Sequence, residues 1–502
     1  MKNGNALTIH LATEIPQPQS NEAVAFCVFT DEPQCLSLAP EGEAALQTVE
    51  AVIRDGEFKG EEGTSLLLHA TSATNVGSRR LLLIGLGAHA DFDIPALSRA
   101  AGMAARRAQD ARVKHLYFIL PAQGDEHRLT RAVAEGACLG LYDGSLYQNQ
   151  AEEQPALERL TIIGRGRTDE MEREVERGRI VAESVNWARA LADEPGGSLP
   201  PREFARRAAE MAAEFGLRVE SLNADEIRAR GMGGLQGVGQ GSNEEPALIV
   251  LRYEPEGARD GGDGLWAFVG KGITFDTGGI SIKHGLDMYE MKTDMAGGAA
   301  ALAALRAIAQ LKPQRAVVAI VPSAENMPSG RAIKPGDVVK TLAGYTIEVV
   351  DTDAEGRLVL VDGIAYARQL GAERIVDLAT LTGSIVVALG DHRAGLFSNN
   401  DGWARQVEMA AVRAGEPVWR MPVSDDYKKR IESDIADFKN YGGRPDATAA
   451  ALLLSKFAAD TPWVHLDIAG TSWYDDPQPH APKGSTGTGV RTLVELVIGE
   501  TG

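Results

Sequence analysis

The sequence has few cysteines and no segment suited to crossing a membrane. Cys27, Cys35 and Cys138 are the only cysteines, and they form no CxxC pair. An odd number without regular spacing argues against a disulfide scaffold and favours a reducing compartment. No apolar run approaches the roughly 18 residues that a membrane span needs. Residues 1–17 also lack the basic and apolar regions of a signal peptide. We therefore expect a cytoplasmic protein without a membrane partner.

Basic residues are also under-represented. Lys and Arg number 51 against 70 Asp and Glu, which gives a formal charge of −19. Nucleic-acid binding needs clustered Lys and Arg against phosphates, so this balance disfavours a generic polyanion partner. It does not exclude a local basic patch, and nucleic acid stays a possible but not favoured partner.

The size and composition indicate a globular protein of more than one domain. The chain has 502 residues, of which 44% are apolar and 24% charged. These fractions are normal for a protein with a packed core. At this length two domains are expected.

Residues 1–165 are predicted to form the smaller, N-terminal α/β domain. Strands alternating with helices are typical of such a domain. The apolar runs predict strands at 24–29, 65–70, 80–85 and 115–120, and an Ala-rich periodic stretch predicts a helix at 93–110. A charged helical pattern follows, and we assign residues 166–190 to a linking helix.

Residues 191–502 are predicted to form the larger, catalytic domain. Its apolar, often β-branched runs predict strands at 247–252, 265–269, 316–321, 346–350, 374–378 and 464–468. Helical stretches lie between them at 295–311, 358–370, 402–414 and 447–458. This pattern predicts an α/β fold with a mostly parallel sheet covered by helices on both faces. Ligands bind beyond the carboxyl ends of the strands in such sheets.

A first chemically unusual block follows the strand at 265–269. It reads Val-Gly-Lys-Gly-Ile-Thr-Phe-Asp-Thr-Gly-Gly-Ile-Ser-Ile-Lys over residues 269–283. Lys271, Asp276 and Lys283 are charged residues among apolar and small neighbours, so they need charged partners. Asp294 follows, just before a small-residue helix, where an N-cap role is the simplest alternative.

A second block, Asp-Thr-Asp-Ala-Glu-Gly-Arg-Leu at residues 351–358, also follows a strand. Asp351, Asp353 and Glu355 alternate, so in an extended chain they point the same way. Carboxylates this close repel one another and persist where a cation lies among them. Arg357 adds a planar group suited to an anion.

This block admits two alternatives to a catalytic metal site. With Asp362 in the twelfth place, the residues approach the pattern of a calcium-binding EF-hand loop. An EF-hand needs a preceding helix, whereas residues 345–350 are β-branched and strand-like. In the twelfth place of the loop, Asp is also a weaker calcium ligand than the usual bidentate Glu. A solvated acidic turn does not explain the apolar strand that leads into it.

The histidines do not support a histidine-based zinc site. The nine histidines are scattered, and no His-Glu-x-x-His motif is present. Oxygen ligands must therefore dominate. Carboxylate-rich sites often hold two metals roughly 3.5–4 Å apart, which produce hydroxide at neutral pH.

Together the two blocks resemble the signatures of the leucine aminopeptidase family, which includes the bacterial cytosol aminopeptidases. The resemblance runs through nearly all of the second domain and is looser in the first. Further similar stretches are Gly-Val-Gly-Gln-Gly-Ser at 237–242, Glu-Asn-Met-Pro-Ser-Gly at 325–330, Pro-Gly-Asp at 335–337, Ala-Thr-Leu-Thr-Gly at 379–383, Gly-Gly-Arg-Pro at 442–445 and His-Leu-Asp-Ile-Ala-Gly at 465–470.

The resemblance implies two divalent metal ions per subunit, Mn²⁺ or Zn²⁺. One ion would be held by Lys271, Asp276, Asp294 and Glu355. The other would be held by Asp276, Asp353 and Glu355, so that Asp276 and Glu355 bridge. A lysine ligand must be neutral, and a nearby dication disfavours the ammonium form.

The resemblance also implies the reaction. The family releases N-terminal residues, preferentially leucine-like, from peptides, and it forms homohexamers. Lys283 and Arg357 match its catalytic positions; the lysine stabilises the oxyanion and the arginine holds a bicarbonate. Residues matching positions near the bound substrate are Met291, Thr380, Leu381, Gly383 and Ala469, although core packing is an equally good explanation for Leu381 and Ala469.

Two departures from the family pattern and two competing functions remain. Asp351 stands where the family has Asn, and Asp-Glu-Pro-Gly-Gly at 193–197 replaces Asn-Pro-Pro-Asn.

A DNA-binding architectural or regulatory role is the alternative to the peptidase function, as a secondary function. A catalytically dead relative is disfavoured because all the expected ligands are present.

Overall fold

The protein is described from a computed structural model, which covers residues 7–15, 21–31, 43–69, 80–145, 147–148, 157–255 and 264–499. The chain divides into two compact units. The first consists of Met1–Glu183 and Asp475–Lys483, and the second of Ser184–Tyr474 and Gly484–Gly502. The division between the two units falls inside a long helix. No sequence pattern indicated that the short segment Asp475–Lys483 groups with the first unit.

The first unit is built on a six-stranded sheet. Its strands are β1 (Thr8–Ala12), β2 (Glu22–Val28), β3 (Ser65–His69), β4 (Arg80–Gly85), β5 (His115–Ile119) and β6 (Arg159–Ile163). They lie in the order β1-β6-β5-β2-β4-β3, and neighbouring strands are parallel except for the antiparallel pair β3–β4. The helices are α1 (Glu43–Arg54), α2 (Ile94–Asp110), α3 (Glu126–Gly140) and the 3-10 helix His89–Asp91.

Local sequence explains where these elements begin. The helix α2 starts after Asp93, whose carboxylate accepts the backbone N–H of Ala96 at 2.7 Å, as expected for an N-cap. The strand β2 is buried along its whole length. Its alternate residues therefore contribute to two separate apolar clusters, one on each face of the sheet.

The helix α4 (Asp169–Asp193) contains the boundary between the two units. The second unit begins in this helix and adds the helices α5 (Pro201–Phe215), α6 (Ala224–Arg230), α7 (Gly233–Gly239), α8 (Ala296–Leu311), α9 (Gly356–Gln369), α10 (Gly383–Leu389), α11 (Asp401–Ala414), α12 (Asp446–Ala458) and α13 (Val490–Ile498). Its 3-10 helices are Gly196–Ser198, Met288–Thr293 and Asp425–Arg430.

A nine-stranded sheet forms the centre of this unit. Its strands are β7 (Arg218–Leu222), β8 (Ala247–Tyr253), β9 (Trp266–Gly270), β10 (Gly272–Asp276), β11 (Val317–Asn326), β14 (Arg374–Ala379), β15 (Ala394–Ser398), β16 (Val418–Arg420) and β18 (Trp463–Asp467). They lie in the order β16-β15-β18-β14-β9-β11-β8-β7, with β10 also paired to β11. The strands β12 (Val338–Lys340), β13 (Thr346–Glu348) and β17 (Phe438–Lys439) form a small sheet, and β19 (Trp473–Tyr474) pairs with β20 (Gly484–Ser485).

The central strands of this sheet are parallel and covered on both faces. The pairs β9–β11, β9–β14 and β14–β18 are parallel. Alternate residues of β9 face opposite sides: Val269 lies close to Gly363 of α9, while the Trp266 ring contacts Trp403 of α11 at a centroid distance of 4.9 Å. The carboxyl ends of β9, β14 and β18 therefore meet at one edge of the sheet.

The predicted α/β fold class is confirmed, with the smaller unit first and a mostly parallel sheet in the larger one. Neither Cys27 nor Cys138 forms a disulfide within the described part of the chain. Cys35 lies outside the described residues, as does the last residue of the strand predicted at 65–70. Of the helices in the described ranges, none combines the length and apolar character needed to cross a membrane.

Candidate metal centre

Four pieces of the second unit bring charged side chains to one edge of the central sheet. Lys271 lies between β9 and β10, and Asp276 is the last residue of β10. Asp294 follows the 3-10 helix Met288–Thr293. Asp353 and Glu355 lie in the turn between β13 and the first residue of α9. Strand ends hold Lys271 and Asp276, as expected for a ligand site in such a sheet, and the segments beside them hold the other three.

Asp276, Asp353 and Glu355 form a compact carboxylate cluster. One oxygen from each lies within 4.8 Å of the others. Asp276 and Glu355 are each only 2% exposed, whereas the Asp353 side chain is 34% exposed. Neither oxygen of Glu355 accepts a hydrogen bond from any residue in the described ranges. The Oε1 atom of Glu355 lies 2.8 Å from the Lys271 ammonium, but the neighbouring carboxylates carry more negative charge than the adjacent ammonium groups offset, so this cluster calls for a cation.

Two lysines lie against the carboxylates. The Lys271 ammonium donates to Asp294 Oδ1 at 2.8 Å and lies 2.8 Å from Glu355 Oε1. The Lys283 ammonium lies 2.9 Å from Asp276 Oδ2 and also contacts Asp353 Oδ1. Four carboxylates therefore face two ammonium groups, and negative charge remains in excess.

Burial and mutual repulsion act on the proton affinities of the carboxylates. Burial raises the pKa of Glu355, of Asp294 and of Asp353, and repulsion from Asp276 adds to the increase in each. Burial alone would lower the pKa of Lys271, but the surrounding carboxylates more than offset it and raise that pKa. The charges of the chain itself favour an ammonium, so a neutral Lys271 requires cations among the carboxylates.

The donor set fits divalent metal ions. It combines carboxylate oxygens with one amine, which admits several divalent cations. Gly356 makes room for this arrangement, because a Cβ there would lie 2.7 Å from Lys271 Cε and 2.9 Å from its Nζ. Asp294 is not the N-cap of α8; that position is Met295, without a side-chain cap, and Asp294 instead accepts from Lys271 and, at 2.7 Å, from the Thr380 hydroxyl.

Arg357 lies in the first turn of α9, and its side chain is 3% exposed. Its Nη1 donates to the Asn440 carbonyl oxygen at 2.8 Å and to Asp446 Oδ1 at 3.0 Å. Its Nη2 donates to Asp446 Oδ2 at 3.3 Å. The edge between the two terminal nitrogens is thus paired with a carboxylate of the chain, and a bicarbonate does not fit between them. The Nε, in contrast, is buried without a hydrogen-bond partner in the described ranges.

Family profiles match both parts of the chain. A profile described as "Cytosol aminopeptidase family, catalytic domain" matches residues 186–494, which is more than half of the chain. The profile of the N-terminal domain of the same family matches residues 28–151. The chain belongs to the cytosol aminopeptidase family. The resemblance stated from the sequence motifs is thereby confirmed.

Relatives match over most of their length. A "Probable cytosol aminopeptidase" of Solibacter usitatus (strain Ellin6076) is 47% identical over 450 residues, covering 89% of this chain and 92% of the relative. One from Alkaliphilus metalliredigens (strain QYMF) is 44% identical, with 89% and 90% covered. This cytosol aminopeptidase family member is therefore an aminopeptidase, a hydrolase that acts on peptides.

Solved structures agree with the fold. A mutant of the tomato leucine aminopeptidase is 30% identical with a TM-score of 0.90, covering 100% of this chain and 98% of that one. The bottromycin maturation enzyme BotP in complex with Mn is 34% identical with a TM-score of 0.82, covering 95% and 98%. Both similarities extend through the two units of this aminopeptidase.

The five residues expected near the substrate all reach solvent. They are Met291, Thr380, Leu381, Gly383 and Ala469, and none is fully buried. The Leu381 and Ala469 N–H groups both donate to Asp467 Oδ1, at 3.1 and 3.3 Å. Leu381 and Ala469 also pack against the edge of the apolar core, so packing and substrate contact are compatible. The carbonyl oxygen of Met291 accepts the Asp294 N–H at 3.4 Å.

Asp351, the departure from the family pattern, has a local structural role in this aminopeptidase. Its Oδ1 accepts the Asp353 N–H at 3.0 Å. Asparagine carries the same acceptor oxygen, so this contact does not need the extra charge. Asp362, in contrast, accepts the backbone N–H of Leu235 at 2.9 Å and of Leu342 at 2.8 Å, which removes the EF-hand interpretation.

Sequence reasoning missed three residues that hold the carboxylates and turns of the metal centre in place. Asn326 donates from its amide to Asp276 Oδ1 at 2.8 Å and to the Thr352 carbonyl at 2.9 Å. Asn440 and Asp467 bind the backbone of neighbouring turns. Asn326 and Asp467 lie within stretches that resemble the family, and each is a polar residue at the end of an apolar strand, which could have marked them as part of the site. No comparable sequence pattern marked Asn440.

Proposed function

We propose that the protein is a metal-dependent leucine-type aminopeptidase whose carboxylate cluster holds two divalent cations. The observation that carries this proposal is the cluster of Asp276, Asp353 and Glu355, with oxygens within 4.8 Å of one another and with Asp276 and Glu355 each only 2% exposed. A site of this kind at strand ends serves chemistry rather than folding.

The proposed ligands follow the contacts in the structure. Lys271, Asp276, Asp294 and Glu355 would hold one cation; Asp276, Asp353 and Glu355 would hold the other, with Asp276 and Glu355 shared. Lys271 supports the first set because it already lies 2.8 Å from both Asp294 and Glu355 oxygens. When bound, the two cations lower the pKa of a water molecule and polarise the peptide carbonyl.

Side chains of the protein would stabilise the negative charge that develops in the reaction and would orient the metal ligands. Lys283 is held by Asp276 and Asp353, so its ammonium is placed to stabilise negative charge on the carbonyl oxygen. Asn326 orients Asp276 through a 2.8 Å hydrogen bond, as carboxylate ligands of metals usually require. We assign Lys283 and Arg357 to the catalytic positions.

The residues assigned to the first substrate side chain are Met291, Thr380, Leu381, Gly383 and Ala469. Their small or apolar character and their partial exposure support a preference for leucine-like N-terminal residues. An apolar pocket separates side chains that differ by one methylene only by about 10–200-fold. We therefore expect preference for leucine rather than strict selection.

Three further properties belong to this proposal. We propose Mn²⁺ or Zn²⁺ as the cations; the Mn complex of BotP supports Mn²⁺.

We propose a cytoplasmic location, supported by relatives that are named cytosol aminopeptidases. We propose a homohexamer, as the family resemblance implies. Exposed apolar side chains such as Leu286 (86%) and Val387 (90%) support an association of subunits, and light scattering should give six times the 53.5 kDa chain mass.

Hydrolysis of leucine p-nitroanilide tests the proposed function. The protein is assayed as purified, after chelator treatment with dialysis, and after adding back Mn²⁺ or Zn²⁺, with bound metal measured by mass spectrometry. We expect chelation to abolish activity and re-addition to restore it. The Glu355→Gln variant should lose both metal and activity, whereas the matched surface change Glu373→Gln should retain both. Undiminished hydrolysis in metal-free protein would refute the two-metal proposal.

A further inference from the structure

Arg357 is a buried cation whose anion partner is part of the chain. The two terminal nitrogens of its guanidinium face the two oxygens of one carboxylate, with Nη1 3.0 Å from Asp446 Oδ1 and Nη2 3.3 Å from Asp446 Oδ2. This is the bidentate arrangement that guanidinium groups make with carboxylates. The remaining direction of Nη1 is taken by the Asn440 carbonyl oxygen at 2.8 Å.

Asp446 is held in this position by its own helix as well as by Arg357. It is the first residue of the 13-residue helix α12, where a carboxylate is favoured by the helix dipole. The next residue, Ala447, donates its N–H to Ser384 Oγ at 2.8 Å, which fixes the start of the helix. The Asp446 side chain is 19% exposed, so solvent has little access to it.

A dissolved planar anion that binds between the two terminal nitrogens would make the same paired contacts that Asp446 makes. It would have to displace Asp446 and leave that carboxylate without its cation in a poorly solvated place, which is unfavourable. The Nε is buried without a partner in the described ranges, and an anion there would share a guanidinium whose charge Asp446 already neutralises. A carboxylate attached to the chain also loses no translational freedom when it binds, unlike an ion from solution.

We propose that Asp446 is the resident anion of the Arg357 site and that peptide hydrolysis by this protein needs no dissolved bicarbonate. The inference rests on the aminopeptidase function proposed above. A carboxylate and a bicarbonate each present two acceptor oxygens in one plane, with one negative charge. Asp446 therefore supplies beside Arg357 the charge and the acceptor oxygens that a soluble anion would bring, and acts as a positioning residue for Arg357.

Removing the carboxylate should create the need for an external anion. Hydrolysis of leucine p-nitroanilide by the metal-loaded enzyme is measured in CO2-depleted buffer, with and without sodium bicarbonate, and with sodium nitrate at equal ionic strength. We expect bicarbonate to leave the wild-type rate unchanged. Asp446→Ala should lower the hydrolysis rate roughly tenfold or more, a loss of about 1.4 kcal/mol of transition-state stabilisation, because Arg357 loses its bidentate partner. Bicarbonate should restore most of that rate.

The surface pair of Asp401 with Arg420 provides the matched control. Asp401 Oδ1 accepts from Arg420 Nη2 at 3.1 Å, and its side chain is 87% exposed. Asp401→Ala therefore removes an Asp–Arg pair of the same chemistry from a solvated position. It should keep the wild-type rate and show no response to bicarbonate.

Binding is measured separately from activity by thermal unfolding with increasing bicarbonate. A ligand that binds only the folded state raises its unfolding temperature, so bicarbonate should stabilise Asp446→Ala more than wild type or Asp401→Ala. If the alanine variant does not fold, Asp446→Asn replaces it, since it removes the charge and keeps the size. Wild-type protein inactive in every buffer would refute the proposed function, while the binding measurement would still test the anion site.

Three results would overturn the inference. One is a wild-type rate that rises with bicarbonate but not with nitrate at the same ionic strength. Another is a folded Asp446→Ala that is as active as wild type, or more active, without bicarbonate. The third is a folded, impaired Asp446→Ala that bicarbonate neither reactivates nor stabilises.

Discussion

Asn440 binds the turn that carries Asp353 through four backbone groups. Its Oδ1 accepts the N–H of Val350 at 2.8 Å and of Asp351 at 3.3 Å. Its Nδ2 donates to the carbonyl oxygens of Asp351 at 2.6 Å and Ala354 at 3.2 Å. Asn440 is 1% exposed, and all the hydrogen bonds of its side chain go to this one turn. The position of the turn therefore depends on Asn440.

We expect Asn440→Asp to impair the centre although the side chain keeps its shape. The carboxylate cannot donate, so two carbonyl oxygens lose their partner and face negative charge instead; each buried group left unpaired costs about 1–3 kcal/mol. Since ~1.4 kcal/mol in the transition state is a factor of ten, kcat/KM should fall about tenfold or more, with weaker retention of bound metal.

The same change at Asn399 is the control for Asn440→Asp. Asn399 also binds backbone, donating to the Ala459 and Thr461 carbonyl oxygens at 3.0 Å, but it is exposed and belongs to a different turn. Asn399→Asp should lower stability at most and leave kcat/KM near the wild-type value. Equal kinetic effects of the two variants would contradict a specific role for Asn440.

At the scale of elements, the start of α8 packs directly on the strand ends that carry Lys271. A Cβ on Gly297 would lie 2.2 Å from the Leu378 carbonyl oxygen of β14. Gly298 donates its N–H to the Lys271 carbonyl oxygen at 2.7 Å. Only glycine allows this close approach, so the small residues of the helix set the distance between Asp294 and Lys271.

Gly297→Ala should therefore be both destabilising and kinetically harmful. The added methyl group meets backbone that has to move, and such overpacking costs about 1–3 kcal/mol. We expect a lower denaturation midpoint together with a reduced kcat/KM, because the displaced helix start carries Asp294 with it. Gly402→Ala in α11 is the comparison: its nearest atom is 3.4 Å away, and it should be neutral or stabilise by about 0.4–1 kcal/mol. Full activity in Gly297→Ala would contradict the coupling.

Element boundaries differ from the predicted ones where a distant partner decides them. The strand predicted at 316–321 is observed as Val317–Asn326. Its extension pairs with β10, with Ser323 opposite Gly272 and Asn326 opposite Asp276. Pro322 and the polar residues after it gave no local strand signal, and pairing with a strand about 50 residues earlier cannot be read from periodicity.

At the scale of the whole molecule, one buried carboxyl makes stability depend on pH. Asp362 is fully buried in α9 and accepts N–H groups from Leu235 and Leu342. Burial raises the pKa of Asp362 from 3.8 to about 7, despite these hydrogen bonds. The folded protein thus binds this proton more tightly than the unfolded chain does, and this contribution to stability is lost as the pH rises from 3.8 to about 7.

Asp362→Asn removes this titration, so we expect a flatter dependence of stability on pH. Between these two pKa values the unfolded chain releases the proton and the folded protein retains it, which costs about 1.4 kcal/mol for each pH unit. Denaturant midpoints of both proteins are compared from pH 4 to pH 8, and only the slopes matter, because Asn also loses one acceptor oxygen. Parallel curves for the two proteins would show that Asp362 does not titrate in this range.

The sequence by itself determined the element types and the residues available for chemistry. Hydrophobic periodicity depends on neighbours within one turn or one strand pair, so the strand observed at Arg80–Gly85 and the helix at Asp446–Ala458 were predicted to within one residue. The octapeptide at 351–358 also placed Asp353 and Glu355 close together, since they are two residues apart in the chain. The extended conformation expected for them is a turn in the structure.

Only the tertiary structure decided which of these groups meet. Lys271 reaches Asp294, 23 residues later, because the end of β9 and the start of α8 pack together. Asp446 fills the edge of Arg357, 89 residues earlier, although neither residue signals the other in the sequence. Contacts of this kind depend on how strands cross and helices pack, and a local pattern contains no information about a partner that folding brings from a distant part of the chain.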